Sequence, residues 1–272
     1  MSEPRTLAPF GRRSAEVTAN EAVGAYRLIS ALDANGPRDP RPGQFYMLSA
    51  DERWGGGSDE RPYLPRAFSY ARALEDGTLQ FLVEAIGPGT GVLAGLEAGE
   101  GLGLVGPLGI GFGHAVDRTG RPLLVGGGIG AAPLLCLQDE LGGEAAVLLG
   151  FRSAAFAEAA RLFAGEPAVS TDDGSSGRRG FVTELLRERL HHDSDVTVYA
   201  CGPPPMLEAV RALCAEREVD AELALEAGMA CGFGACYGCV VPTRTGYVRL
   251  CVDGPVLAAA ALDSALVPGA PH

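Results

Sequence analysis

Three cysteines fall within nine residues, Cys231, Cys236 and Cys239 in the run CGFGACYGC, and a fourth, Cys251, follows after eleven more. The spacing C-x4-C-x2-C-x11-C brings four thiolates around a compact centre, and C-x4-C-x2-C…C is a run that holds [2Fe–2S]. Gly232, Gly234 and Gly238 suit that chemistry, because glycine tolerates positive φ and lets backbone N–H groups approach the sulfurs. Four cysteines also suit tetrahedral zinc, although zinc sites commonly pair two separated CxxC knuckles. Disulfides are the third reading, and nothing upstream looks secretory. The spacing favours [2Fe–2S] over both.

The remaining composition narrows the function classes. Net charge is −12, and all 22 basic residues are arginine. So acidic a surface repels phosphate backbones, which argues against a nucleic-acid partner. The first thirteen residues lack the apolar core of a signal peptide, and no run approaches the ~20 apolar residues of a membrane span. Seven cysteines without an export signal point to a reducing, cytoplasmic setting. Cys136, Cys201 and Cys214 lie outside the cluster motif and read as buried small apolar residues.

Elements that would position this chemistry come in two styles. Short β-rich runs at 25–32, 44–49, 67–74 and 79–86, separated by turn residues, predict a small antiparallel barrel or sandwich. The segment 54–60 (WGGGSDE) reads as a flexible loop. Within the barrel, Arg66 opens the run Arg66, Ala67, Phe68, Ser69, where a guanidinium fork and a hydroxyl could hold a diphosphate. Gly89 and Thr90 follow at the end of the next strand, opening a helix-like stretch whose N–H groups could bind an anion; a plain turn and N-cap is the alternative. The glycine-rich segment 99–113 predicts a strand, a Gly-Pro turn, and backbone passing close to a ring system.

From Arg121 strands alternate with helices. A short apolar strand feeds Gly126, Gly127, Gly128, Ile129 and Gly130, then a helix, which gives G-x-G-x-x-A in the strand–turn–helix context that meets a pyrophosphate. The acid expected at the end of the second strand is replaced by Arg152 and Ser153, which leaves NAD against NADP open. Asp172 and Asp173 read as a polar turn. A later strand delivers Cys201 and Gly202 to its carboxyl end, where open α/β sheets bind ligands, and prolines then start a helix.

Taken together these motifs resemble the electron-transfer subunit of NAD-linked (type B) dihydroorotate dehydrogenase, within the ferredoxin-reductase superfamily. The resemblance runs from about residue 24 to 255 and rests on PGQF at 42–45, Arg66 to Ser69, Gly89–Thr90, GPLG at 106–109, GGGIGAAP at 126–133, DDG at 172–174, CGPPPM at 201–206, and 229–239 with Cys251. One departure is Ala67, where the family usually has proline; no phosphate-binding group is lost. The resemblance implies an FAD-binding antiparallel β-barrel at 14–117, an NAD-binding α/β domain at 118–218 and a small C-terminal [2Fe–2S] lobe at 219–272. It implies that Arg66, Ala67, Phe68, Ser69, Leu82, Val83, Glu84, Gly89 and Thr90 line FAD, and that Gly126 to Gly130 with Cys201 and Gly202 face the nicotinamide nucleotide. Cys231, Cys236, Cys239 and Cys251 would ligate the cluster.

Nicotinamides exchange hydride, iron–sulfur centres pass single electrons, and a flavin does both. The sequence contains no residue set resembling an acid/base site for substrate oxidation, so a separate catalytic partner is expected. The resemblance implies an FMN subunit that oxidises dihydroorotate in pyrimidine synthesis, assembled as a heterotetramer of two copies each. A related reductase subunit serving ferredoxin, sulfur or hydrogenase chemistry is the alternative.

Overall fold

The computed structural model describes residues 5–9, 11–55, 62–113 and 120–267. Most of the loop expected at 54–60 lies outside the described residues. Seven strands of the first half form one antiparallel sheet: β1 (Arg13–Val23), β2 (Tyr26–Leu32), β3 (Phe45–Ala50), β4 (Arg66–Ser69), β5 (Arg72–Ala73), β6 (Thr78–Val83) and β7 (Gly101–Leu108), in the order β4-β3-β7-β1-β2-β6-β5. The edge strands β4 and β5 are joined only by Tyr70 and Ala71, so the sheet must curl until its edges meet. Inside lie Ala15, Val17, Ile29, Tyr46, Leu48, Phe81 and Leu104. Helix α1 (Pro88–Ala94) is placed between β6 and β7 and buries Leu93 in the same core.

Strand β3 explains why its sequence, FYMLSA, lacks the usual alternation. A strand covered on both faces reads as a continuous apolar run. Tyr46 and Leu48 point into the barrel core, while Phe45 and Met47 belong to a second core outside it.

The second sheet is built from β8 (Arg121–Gly127), β9 (Ala146–Phe151), β10 (Ala168–Thr171), β11 (Arg178–Arg179), β12 (Val196–Cys201) and β13 (Ala221–Ala224), all parallel. Its helices are α2 (Ala132–Glu140), α3 (Ala154–Ala157), α4 (Val182–His192) and α5 (Pro204–Glu216). The helix expected at 154–163 is α3 followed by a 3-10 turn through Leu162. Strand order is β11-β10-β9-β8-β12-β13, so the chain winds outward from β8 and then returns to its other side at β12.

After β13 the chain leaves the sheet, passes the cysteines, forms a hairpin of β14 (Val240–Thr243) and β15 (Gly246–Arg249), makes the short helix α6 (Leu250–Asp253), and returns as β16 (Val256–Ala258). Strand β16 pairs antiparallel with β13. The sequence reading starts a terminal lobe at 219; here the strands Ala221–Ala224 and Val256–Ala258 belong to the nucleotide-domain sheet, and the cysteine segment lies between them. Ala221, Leu223 and Ala224 of β13 and Val256 of β16 are buried in the cores of the sheet, which ties both ends of the segment to it. Among the described residues no helix is long and apolar enough to cross a membrane.

The last described turn is pinned to α5 by Glu208. Its carboxylate accepts from Arg211 at 2.6 Å, from the Ala265 N–H at 2.6 Å and from the Ser264 hydroxyl at 3.0 Å. The Arg211 guanidinium, helped by Ala265 and Ser264, outweighs burial and brings the carboxyl down to about 2. A folded-state value below the unfolded one stabilises above the unfolded pKa and is lost as pH falls through the folded value. Glu208→Gln therefore lowers stability at pH 7, and urea unfolding should show the gap to the unmodified chain closing between about pH 4.5 and 2.

Candidate functional site

The barrel brings together the two motifs expected to hold phosphate. The Arg66 guanidinium lies 2.9 Å from where a Cβ on Gly89 would sit, so the guanidinium rests directly on the glycine backbone. Arg66 also stands over the Trp54 ring at 5.7 Å and donates to the Leu64 carbonyl. Cross-strand pairing sets Ala67 opposite Met47 and Ser69 opposite Phe45, which places these four on the outer face of the sheet, while Phe68 packs toward the barrel core. Ala67 is exposed and Ser69 half-buried. The Thr90 hydroxyl is engaged within its own turn: it accepts from the N–H groups of Ile86 at 2.9 Å and Gly87 at 3.0 Å. Leu82 and Val83 are fully buried, and Glu84 pairs with Arg152 of the nucleotide domain. Sequence reasoning left Arg152 available for a 2′-phosphate; the structure neutralises it with Glu84 and lays it on the Phe156 ring at 4.1 Å.

The strand expected in the glycine segment 99–113 is β7, and it continues through Gly106 and Pro107, where a turn was expected. A side chain at Gly109 would meet the Gly254 carbonyl at 2.5 Å, and one at Gly111 would meet the Pro42 carbonyl. A side chain at Gly106 would meet the Tyr46 ring at 2.5 Å.

In the second sheet the ligand motifs converge where the strand order reverses, the place at which open α/β sheets form a binding crevice. Gly126 pairs with Cys201 across β8 and β12. A methyl on Gly130 would overlap the Cys201 carbonyl, and one on Gly127 would overlap Met206. These glycines let the turn after β8 lie directly on Cys201 and Gly202. Gly128 has φ +55, a conformation that favours glycine. Cys201 is buried, which pushes its thiol well up and leaves it unreactive. Asp173 accepts from the N–H and hydroxyl of Ser175 at 2.9 and 2.6 Å, the polar turn expected of it. Glu226, which sequence reasoning missed, follows β13 and acts electrostatically on Cys201; burial lifts its carboxyl to about 7. Its only signal is being the one acid in the apolar stretch 223–230.

The four motif cysteines come together as two pairs. Cys239 and Cys251 are buried, with sulfurs 3.2 Å apart. Cys231 and Cys236 form the outer pair, linked by a side-chain hydrogen bond, with the Cys236 N–H 3.5 Å from the Cys231 sulfur. Burial pushes the Cys231 thiol up, but the N–H groups of Cys236, Phe233 and Ala235 outweigh it and bring it down to about 6. Burial and the neighbouring Cys239 push Cys251 up to about 12. Among the described residues no three such side chains converge on one ion. Two thiol pairs fit a sulfide-bridged two-iron core, in which each iron takes two cysteines. N–H groups aimed at sulfur are what such a core requires of its loop.

A curled antiparallel sheet joined to a parallel α/β sheet is the architecture of ferredoxin-reductase-like proteins. A solved NADH-dependent reduced ferredoxin–NADP oxidoreductase has the same fold, with TM-score 0.77, 22% identity and coverage of 94% of this chain and 92% of that one. A ferredoxin reductase of carbazole 1,9a-dioxygenase superposes with TM-score 0.63 and 22% identity over 77% of this chain and 66% of that one. Residues 152–212 match the oxidoreductase NAD-binding domain family, and residues 226–263 match the iron–sulfur cluster binding domain of dihydroorotate dehydrogenase B. The electron transfer subunit of dihydroorotate dehydrogenase B (NAD(+)) from Caldanaerobacter subterraneus subsp. tengcongensis is 34% identical over 250 residues, 90% of this chain and 96% of that one. That of a Geobacillus species is 40% identical over 230 residues, 80% of this chain and 85% of that one. The chain is thus a ferredoxin-reductase-like oxidoreductase component. It belongs to the family of dihydroorotate dehydrogenase B electron transfer subunits.

The tight seat of the glycine turn on β12 gives a direct test. Gly130→Ala forces a methyl against backbone that cannot yield, and overpacking of this kind costs about 1–3 kcal/mol. Urea unfolding should show that loss; an unchanged midpoint would contradict the packing described.

Proposed function

We propose that this chain relays electrons between a catalytic partner and NAD+, with FAD and a [2Fe–2S] cluster as its resident redox groups. The observation that carries this reading is the joining of three sites in one chain: the Arg66–Gly89 niche, the glycine crevice between β8 and β12, and the two thiol pairs of the cysteine segment. FAD supplies the exchange between hydride and single-electron chemistry.

The residues divide the work. Arg66 offers a cation beside the exposed side of β4, where Ala67 and Ser69 leave a surface for a flat ring and its diphosphate. Phe68 backs that strand from the barrel core, Leu82 and Val83 are buried on opposite faces of β6, Glu84 fixes Arg152, and Thr90 holds the turn that presents Gly89. Gly126, Gly127, Gly128, Ile129 and Gly130 offer backbone to a nicotinamide nucleotide, with Cys201 and Gly202 flooring the crevice. Asp173 and the engaged Arg152 leave little to attract a 2′-phosphate, which favours NAD.

The relatives are named electron transfer subunits, which supports a separate catalytic subunit, and the family resemblance makes it an FMN protein that oxidises dihydroorotate, in a complex of two copies each. Cys236 is exposed, and Phe233 and Tyr237 beside it are 61% and 64% exposed. Exposed aromatics around the outermost thiol suit a face that docks a protein donor. Seven free thiols fit a reducing cytoplasm.

Chain purified anaerobically with its partner should carry about two iron and two labile sulfide per chain, the content of one [2Fe–2S] centre, and Cys251→Ala should lose most of both. One zinc per chain with no labile sulfide would contradict the relay.

A further inference from the structure

The cysteine segment packs on the barrel, and Gly232 is a point where it meets the flavin-motif face. Gly232, next to Cys231, has φ +79, and a Cβ there would lie 2.5 Å from the Met47 Cγ, 2.8 Å from its sulfur and 3.1 Å from the Leu108 side chain. Met47 is buried, in the same core as Cys239, Leu250 and Cys251. In the sheet, Met47 is the cross-strand partner of Ala67. Such pairs point to the same face with Cβ atoms about 4.5–5.5 Å apart. Met47 therefore touches the cluster loop on one side and neighbours the exposed flavin-motif strand on the other.

We infer that Met47 and Gly232 are positioning residues that set the spacing between the flavin surface and the cluster loop, and so carry the intramolecular electron-transfer step of the relay proposed above. The absence of a side chain at Gly232 lets the loop close onto Met47, and the unbranched thioether fills the remaining gap. No charged or hydrogen-bonding group lies in this contact, so its contribution is distance. In the NADH-driven direction NADH gives two electrons as hydride; one crosses this contact to the oxidised cluster and the other stays on the flavin until an external one-electron acceptor draws it off.

The test is a double-mutant cycle on the complex purified anaerobically, with Gly232→Ala, Met47→Ala and the pair. The strain of a non-glycine residue at positive φ is the same with either residue at position 47, so the cycle isolates the contact. After rapid mixing with NADH, flavin bleaching and cluster bleaching are followed separately. Gly232→Ala should lower the ratio of cluster rate to flavin rate by about tenfold, a coupling typical of residues in contact, and the pair should recover to within about threefold of Met47→Ala alone. Urea unfolding midpoints of the same four proteins should be non-additive in the same sense, a readout independent of electron transfer. Met47→Val replaces the alanine if that variant does not fold. A Gly232→Ala ratio equal to wild type, or rates and midpoints that simply add, would overturn the assignment. Wild-type protein without labile sulfide would overturn the relay itself, and the contact's role with it.

Discussion

Strand β3 is buried on both faces, and the mutual placement of the barrel, the nucleotide sheet and the cysteine segment depends on that double burial. Its inward residues Tyr46 and Leu48 close the barrel, while Phe45 and Met47 enter a core shared with Leu123, Val125, Leu223, Cys239, Leu250 and Cys251. Truncating one buried side chain of this size costs about 2–5 kcal/mol. The ion pairs near the cysteines, such as Arg249–Asp253 at 3.7 Å, are half exposed and are worth at most about 1 kcal/mol each. Apolar packing against β3, not surface charge, fixes where the thiols lie.

The insertion of the cysteine segment between β13 and β16 adds a second restraint. Both ends of the segment are sheet strands, and the Ile110 N–H of the barrel donates to the Gly254 carbonyl at 2.5 Å just before β16. A tail attached at one end could swing away; a loop tied at both ends and seated on β3 cannot. Arg249 joins its parts locally, donating to the Gly234 carbonyl at 3.2 Å and standing over the Tyr237 ring at 5.4 Å. The outer thiol Cys236 stays exposed, so the segment faces inward to the barrel and outward to solvent at once. That is the placement an electron relay requires.

Much of this was readable from residue types. The cysteine spacing, the glycine turn at 126–130 and the run from Arg66 to Ser69 each carry a local rule, and each lies in the element expected. Their meeting was less readable. That Arg66 lies over Gly89, that Gly130 lies on Cys201 and that Gly232 lies on Met47 are long-range contacts set by sheet order, which no local pattern encodes. Strand β16 was missed because three residues are too few to show a period. Met47 did leave a signal in the unbroken apolar run of β3, and the pairing of Arg152 with Glu84 left none because the two are distant in sequence.

The central claim is that this chain stands between dihydroorotate oxidation and NAD+. The most direct measurement mixes the intact complex, purified anaerobically from its own host, with dihydroorotate while the visible spectrum is followed, and then adds NAD+. The account requires flavin and cluster bands to bleach with dihydroorotate and to recover with NAD+. Bleaching by NADH with none by dihydroorotate would contradict it, leaving the relay in place but serving a different electron donor.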